Sequence, residues 1–126
     1  MGLVTTMITL RNPRYPDIQP IEVEVLADTG SVHMCIPEHI AIQLRLEEYD
    51  KKESAIADGS RRLVSYVGPL EIHFKNRVGL GGALVIGNQV LLGAIPMEDM
   101  DLVVSPKDRK IDVNPESPNV ACSTVK

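Results

Sequence analysis

Residues 21–31 constrain the fold of this chain more than any other stretch. They read Ile21-Glu22-Val23-Glu24-Val25-Leu26-Ala27-Asp28-Thr29-Gly30-Ser31. Ile21, Val23 and Val25 alternate with glutamates, the period of a strand with one face in a core and the other in water. The strand then runs apolar into a carboxylate, a small hydroxyl residue and a glycine. A charge at a buried strand end is costly unless it is paired or shares a proton. That is the setting an acid–base carboxylate needs. A structural aspartate in a strand-end turn fits the same three residues, because a lone short motif carries a high false-positive risk.

The rest of the chain continues this pattern of short strands. Residues 3–10 read as a strand, and 11–17 as a turn punctuated by Pro13 and Pro16. Pro37 opens a helical stretch over 37–46, with Ile40, Ala41 and Leu44 giving an apolar face. Charged residues follow through Glu53. Residues 54–67 read as a hairpin centred on Ala57-Asp58-Gly59-Ser60, since Asp-Gly is a strong hairpin-turn signal. Leu70-Glu71-Ile72-His73-Phe74 alternates again, and Gly79, Gly81 and Gly82 loosen the chain between strands. Residues 83–86 and 90–92 flank a Gly87-Asn88 turn. A short helix starts at Pro96, followed by strands at 102–104 and 111–113 around a Pro106-Lys107-Asp108 turn. Residues 114–126 hold two prolines and few large apolar side chains, which predicts a loose tail. There is no internal repeat at solenoid periods. Many short strands joined by Gly, Pro and Asp turns predict an all-β barrel or sandwich.

Composition narrows the function classes. The length of 126 residues suits one domain, and Val, Ile and Leu dominate, with no Trp and one Phe. A net charge of −4 argues against nucleic-acid binding, which usually shows a basic stripe. Arg61-Arg62 and the charges at 107–110 read as solvated turns. Cys35 and Cys122 do not make a disulfide framework. No secretory leader is legible, and no stretch reaches the ~18 apolar residues of a membrane span. The expectation is a soluble protein of a reducing, cytoplasmic compartment. Residues 1–6 fit a loose myristoylation pattern, but they read better as the start of the first strand.

His33, Cys35 and His39 form a rival cluster for metal or thiol chemistry. A structural zinc site normally takes four ligands in paired spacings, and only three are present here. Cys35 reads better as a small buried hydrophobe, and neither metal nor cofactor is expected.

A second stretch joins the first. Val90-Leu91-Leu92-Gly93-Ala94-Ile95 is followed by Pro96-Met97-Glu98-Asp99-Met100-Asp101-Leu102-Val103-Val104. Together with Val25–Ser31 it resembles the paired signature segments of retropepsin-like aspartic peptidases, over roughly residues 3–113. The resemblance implies a small closed acid-protease-like β-barrel with one or two short helices, over a domain of residues 1–113 with 114–126 as a tail. It implies a catalytic Asp28, with Thr29 bonding the partner loop and Gly30 letting backbone amides reach the carboxylate. The hairpin falls where the family has its flap, so Ala57, Asp58 and Gly59, together with Ser31, are the implied substrate contacts.

The chain holds one Asp-Thr-Gly and no second such triplet. A dyad of carboxylates therefore needs a homodimer, with a peptide or protein as substrate. Two departures from viral members stand out. Ser31-Val32-His33 replaces acidic residues, and Gly93-Ala94-Ile95 lacks the arginine of the second segment. Losing both halves of an ion pair leaves no charge stranded. The chain thus looks closer to cellular or bacterial members. A non-catalytic peptide-binding or dimerisation module of the same fold is the alternative, and release from a larger polyprotein is a further variant.

Overall fold

The computed structural model describes residues 3–105 and 107–125. The myristoylation pattern at Met1 and Gly2, and Pro106 of the predicted turn, lie outside the described residues. The described residues are mostly β, with two short helices.

Strand β1 (Thr5–Arg11) pairs antiparallel with β2 (Ile21–Ala27), from Thr5 opposite Leu26 to Leu10 opposite Ile21. β2 pairs in parallel with β7 (Val90–Leu92), Val25 beside Val90 and Ala27 beside Leu92. β7 meets β3 (Met34–Ile36) antiparallel at Leu91 and Cys35. β3 runs parallel to the end of β6 (Arg77–Val85), and β6 forms a long antiparallel ladder with β5 (Arg61–Phe74). The end of β5 returns to β1, with Leu10 opposite Ile72, so six strands close into a barrel. Closure gives each ring strand a partner on both sides, though not along its whole length. β4 (Glu47–Ala55) lies outside the ring, paired on the first half of β5. β8 (Leu102–Ser105) and β9 (Lys110–Val113) make a separate two-stranded sheet.

The core follows from strand alternation. Ile8, Leu10, Val25, Ile36, Leu70, Ile72 and Leu92 face inward and are buried, joined by Ile40 and Leu44 around α1 (Glu38–Gln43) and Met97 and Met100 around α2 (Ala94–Asp99). Each such side chain contributes about 1.5–3 kcal/mol by leaving water. Beyond residue 82 towards its N-terminal half, β6 runs past the end of β3, and there Asp99 Oδ2 accepts the Leu80 amide at 3.0 Å. The α2 helix thus answers part of an edge that β3 is too short to pair.

Several boundaries differ from the sequence reading. α1 starts after Pro37 and stops at Gln43, with Arg45 in the left-handed region at φ 52°. Asn12 is buried and donates to the carbonyls of Leu44 (2.8 Å) and Arg45 (3.3 Å), satisfying groups the ended helix leaves open. The charged stretch after α1 is a strand. Residues 47–51 of β4 are all exposed, so no apolar alternation marks it, and its pairing with β5 holds it extended. The return arm of the hairpin and the 70–74 strand are one element, β5, with a register shift between Val67 and Leu70. Gly79, Gly81 and Gly82 lie inside β6.

Residues 114–125 carry no helix or strand. Asp101 nevertheless accepts hydrogen bonds from Asn114 Nδ2 (3.1 Å), Ser117 Oγ and the Cys122 amide (2.9 Å). Asn76 Nδ2 donates to the Pro118 carbonyl at 2.8 Å. Among the described residues no helix is long and apolar enough to cross a membrane.

Candidate active site

Asp28 sits one residue past β2, and its amide donates to the Leu92 carbonyl at 3.0 Å, prolonging the parallel β2–β7 pairing. The chain then turns, with the Ser31 amide donating to the Asp28 carbonyl at 3.0 Å. Two donors orient the carboxyl. The Gly30 amide reaches Oδ1 at 3.0 Å and the Ser31 hydroxyl reaches Oδ2 at 3.2 Å. A Cβ on Gly30 would lie 3.2 Å from Oδ1, so glycine permits this close approach. Asp28 is half-buried, and Thr29 and Gly30 are exposed.

The loop is anchored from beneath. The Ser31 carbonyl accepts the Ala94 amide at 2.8 Å, and the Val32 carbonyl accepts the Ile95 amide at 2.9 Å. These are first-turn amides of α2, which have no partner inside the helix. The Leu91-Leu92-Gly93 segment therefore does two jobs. Its strand positions Asp28, and the helix it leads into holds the loop that follows.

The β4–β5 hairpin projects over this end of the barrel. At its tip the Gly59 amide donates to the Ile56 carbonyl, and the Ile56 amide to the Ser60 carbonyl, both at 2.9 Å. Gly59 has φ 89°, a region that glycine alone enters without strain. Asp58 Oδ1 accepts the Ser60 amide (2.8 Å) and hydroxyl (2.5 Å). The Ser60 hydroxyl, then its amide, hold the Asp58 carboxyl below the usual carboxylate range.

Between loop and hairpin lies a cleft of ≈ 390 Å³. One side is Asp28, Ser31, Cys35 and Leu91; residues 54–57 of the hairpin and the 86–89 turn form the rest. Of the residues singled out from sequence, Asp28, Ser31 and Ala57 meet in this cleft. Asp58 and Gly59 shape the hairpin tip and do not line it. As cleft lining, Ser54, Ala55, Ile56 and the 86–89 turn were not anticipated, while Cys35 was read as a small buried hydrophobe and Leu91 as part of the second segment. The turn had one signal, the Gly87-Asn88 pair, and Gly87 does adopt φ 77°.

Cys35 is buried, packed with Val64 and Leu84 in a small second core that also takes in Tyr66, Ile86 and Leu91. Burial, and then the neighbouring Asp28 charge, push its thiol up, away from the thiolate a nucleophile requires. His39 is exposed and His33 half-buried. Among the described residues no three His, Cys, Asp or Glu side chains gather as a metal-binding group. The chemistry on offer is one oriented carboxyl at the mouth of a cleft with an apolar floor, under a hairpin.

No protein-family model matches the sequence, and no curated protein matches it. The structure is similar to a crystal structure of the retroviral protease-like domain of Ddi1 from Leishmania major. The TM-score is 0.59, over 91% of this chain and 90% of that one, at 6% sequence identity. At so low an identity the likeness is one of fold, and the chain has the retropepsin-like fold.

Proposed function

We propose that this protein is an aspartic endopeptidase that acts as a homodimer, each protomer supplying Asp28 to a shared dyad. The observation that carries the reading is the Asp28 carboxyl itself. It is oriented by the Gly30 amide and Ser31 hydroxyl and opens into a cleft roofed by the hairpin. Thr29 and Gly30 are exposed beside it, where a second copy would be met. Two carboxyls ~3 Å apart cannot both ionise, so the pair keeps one proton. The ionised member takes a proton from water as the water attacks the scissile carbonyl. The protonated member donates to the carbonyl oxygen. The hairpin would exclude bulk water and bind an extended peptide through main-chain hydrogen bonds. The catalytic unit is residues 1–113, with 114–126 carried as a tail. The unpaired Cys35 and Cys122 suit a reducing, cytoplasmic setting.

The decisive experiment incubates the protein with a diverse peptide mixture, beside Asp28→Asn. The amide keeps the shape and cannot serve as acid or base, so turnover falls by about 10²–10⁴-fold or more. Equal cleavage by the two proteins overturns the assignment. Peptide capture by both, with cleavage by neither, identifies a non-catalytic binding module, since fold alone does not fix function.

A further inference from the structure

The ring of Tyr66 is held from three directions. Tyr66 lies in β5, in the stretch where that strand carries the hairpin, paired with Asp50 of the outgoing arm and Leu84 of β6. Lys52, from the same outgoing arm, sets its Nζ 4.9 Å from the ring centroid. His33, at the end of the segment that begins at Asp28, meets the ring edge-on, with centroids 5.6 Å apart and planes at 62°. Beneath it is Gly82. A Cβ there would lie 2.4 Å from Tyr66 Cζ and 2.6 Å from its hydroxyl oxygen, so the ring rests on bare β6 backbone.

We propose that Tyr66 is a positioning residue that sets the hairpin in register over the Asp28 loop, with Lys52, His33 and Gly82 as its clasp. The loop side of this contact is stiff, because residues 31 and 32 are bonded to the start of α2. The hairpin side is not, because β4 is exposed along most of its length, pairs as a strand with β5 alone, and beyond that is tied only near its start, where Arg14 bonds Glu47 and Tyr49. A contact between a stiff and a compliant element fixes the compliant one. Tyr66 also packs on the second core, whose Cys35 and Leu91 line the cleft. The clasp therefore ties cleft floor, catalytic loop and hairpin together. Burial and the Lys52 charge lower the His33 pKa, which keeps that ring neutral beside the lysine near neutral pH.

The test is amide hydrogen exchange on the full chain. Tyr66→Leu should speed exchange several-fold in residues 54–62 while leaving β1, β2 and the loop at 28–33 as protected as in the parent. Tyr66→Phe keeps the ring and should restore the parent pattern. If Tyr66→Leu fails to fold, Lys52→Met asks the same question from the exposed arm and should loosen residues 54–62 alone. Unchanged hairpin exchange in these variants, or an increase spread evenly over β1 and β2, overturns the proposal, the latter marking Tyr66 as ordinary packing. A second readout rests on the peptidase reading: KM should rise several-fold in Tyr66→Leu with kcat little changed. A parent that cleaves nothing sinks that reading, and the exchange result still decides the role of Tyr66.

Discussion

Gly93 and His33 approach so closely that a methyl group on Gly93 would lie 2.3 Å from the His33 carbonyl oxygen. It would also lie 2.8 Å from the Ser31 carbonyl oxygen. Both obstacles are backbone, belonging to the loop that begins at Asp28, so neither can swing aside as a long side chain would.

Gly93→Ala should therefore push the Asp28 loop off α2. Overpacking of this kind typically costs about 1–3 kcal/mol, read as a lower denaturant midpoint. Turnover should fall further than stability, because the shift is delivered to the segment that carries Asp28. Gly81→Ala is the control. Nothing lies within 4 Å of its Cβ position, and it should be neutral or slightly stabilising. Similar behaviour of the two variants would show that the Gly93 contact does not hold the loop.

Assembly should be visible in activity. One Asp-Thr-Gly per chain leaves a monomer with half a dyad, so specific activity should fall on dilution, at a concentration on the order of micromolar. Mixing in Asp28→Asn protein should suppress the parent by forming mixed dimers. A species that light scattering shows to be monomeric, yet fully active at every dilution, contradicts the two-chain site.

The rate should trace a bell in pH. Only the singly protonated pair holds an acid and a base at once, and both limbs belong to the pair. Thiol blockers should leave the rate intact, since Cys35 is buried and its thiol is pushed up by burial. A rate that climbs steadily through pH 8 and collapses on alkylation of Cys35 points to thiol chemistry instead.

Acid should loosen the β8–β9 sheet and the tail before the barrel. The Lys75 ammonium, 2.7 Å from Asp112, lowers that carboxyl from an ordinary 3.8 to about 2, helped by the Val113 amide. Ser117, the Cys122 amide and Asn114 lower Asp101 likewise. A carboxyl depressed in the folded state contributes fully above its unfolded value. That contribution is lost as pH falls from near 4 toward 2. Asp101→Asn should mimic the loss at neutral pH, because an amide presents N–H groups where three donors converge. Asparagine also tolerates the φ of 52° found at Asp101, so backbone strain is not the cause. Exchange of residues 114–122 should quicken several-fold in this variant, and unchanged protection there would show that Asp101 does not hold the tail.

Much of the framework was legible along the chain. The alternation of Ile21, Val23 and Val25 is the real β2, and it does deliver Asp28 to its end. Asp58-Gly59 is a hairpin turn with Gly59 at positive φ, and the second segment is a short strand leading into a short helix. These are local properties: a two-residue period, a backbone conformation only glycine takes easily, and a proline in a helix's first turn. β4 was illegible because its pattern records no burial, only pairing with β5. The glycines of β6 were read as loosening the chain. Gly79 and Gly82 in fact make room inside a strand, for Met100 and for the Tyr66 ring.

What the sequence alone determined, then, is the strand content, the turns and the one carboxylate placed at a strand end. Tertiary structure decided what that carboxylate faces. Val25 finds Val90, Met34 finds Ala83 and His33 finds Tyr66 only through barrel closure. Those partners are far apart in sequence, and no local period encodes them, because they are selected by the burial that all six strands achieve together.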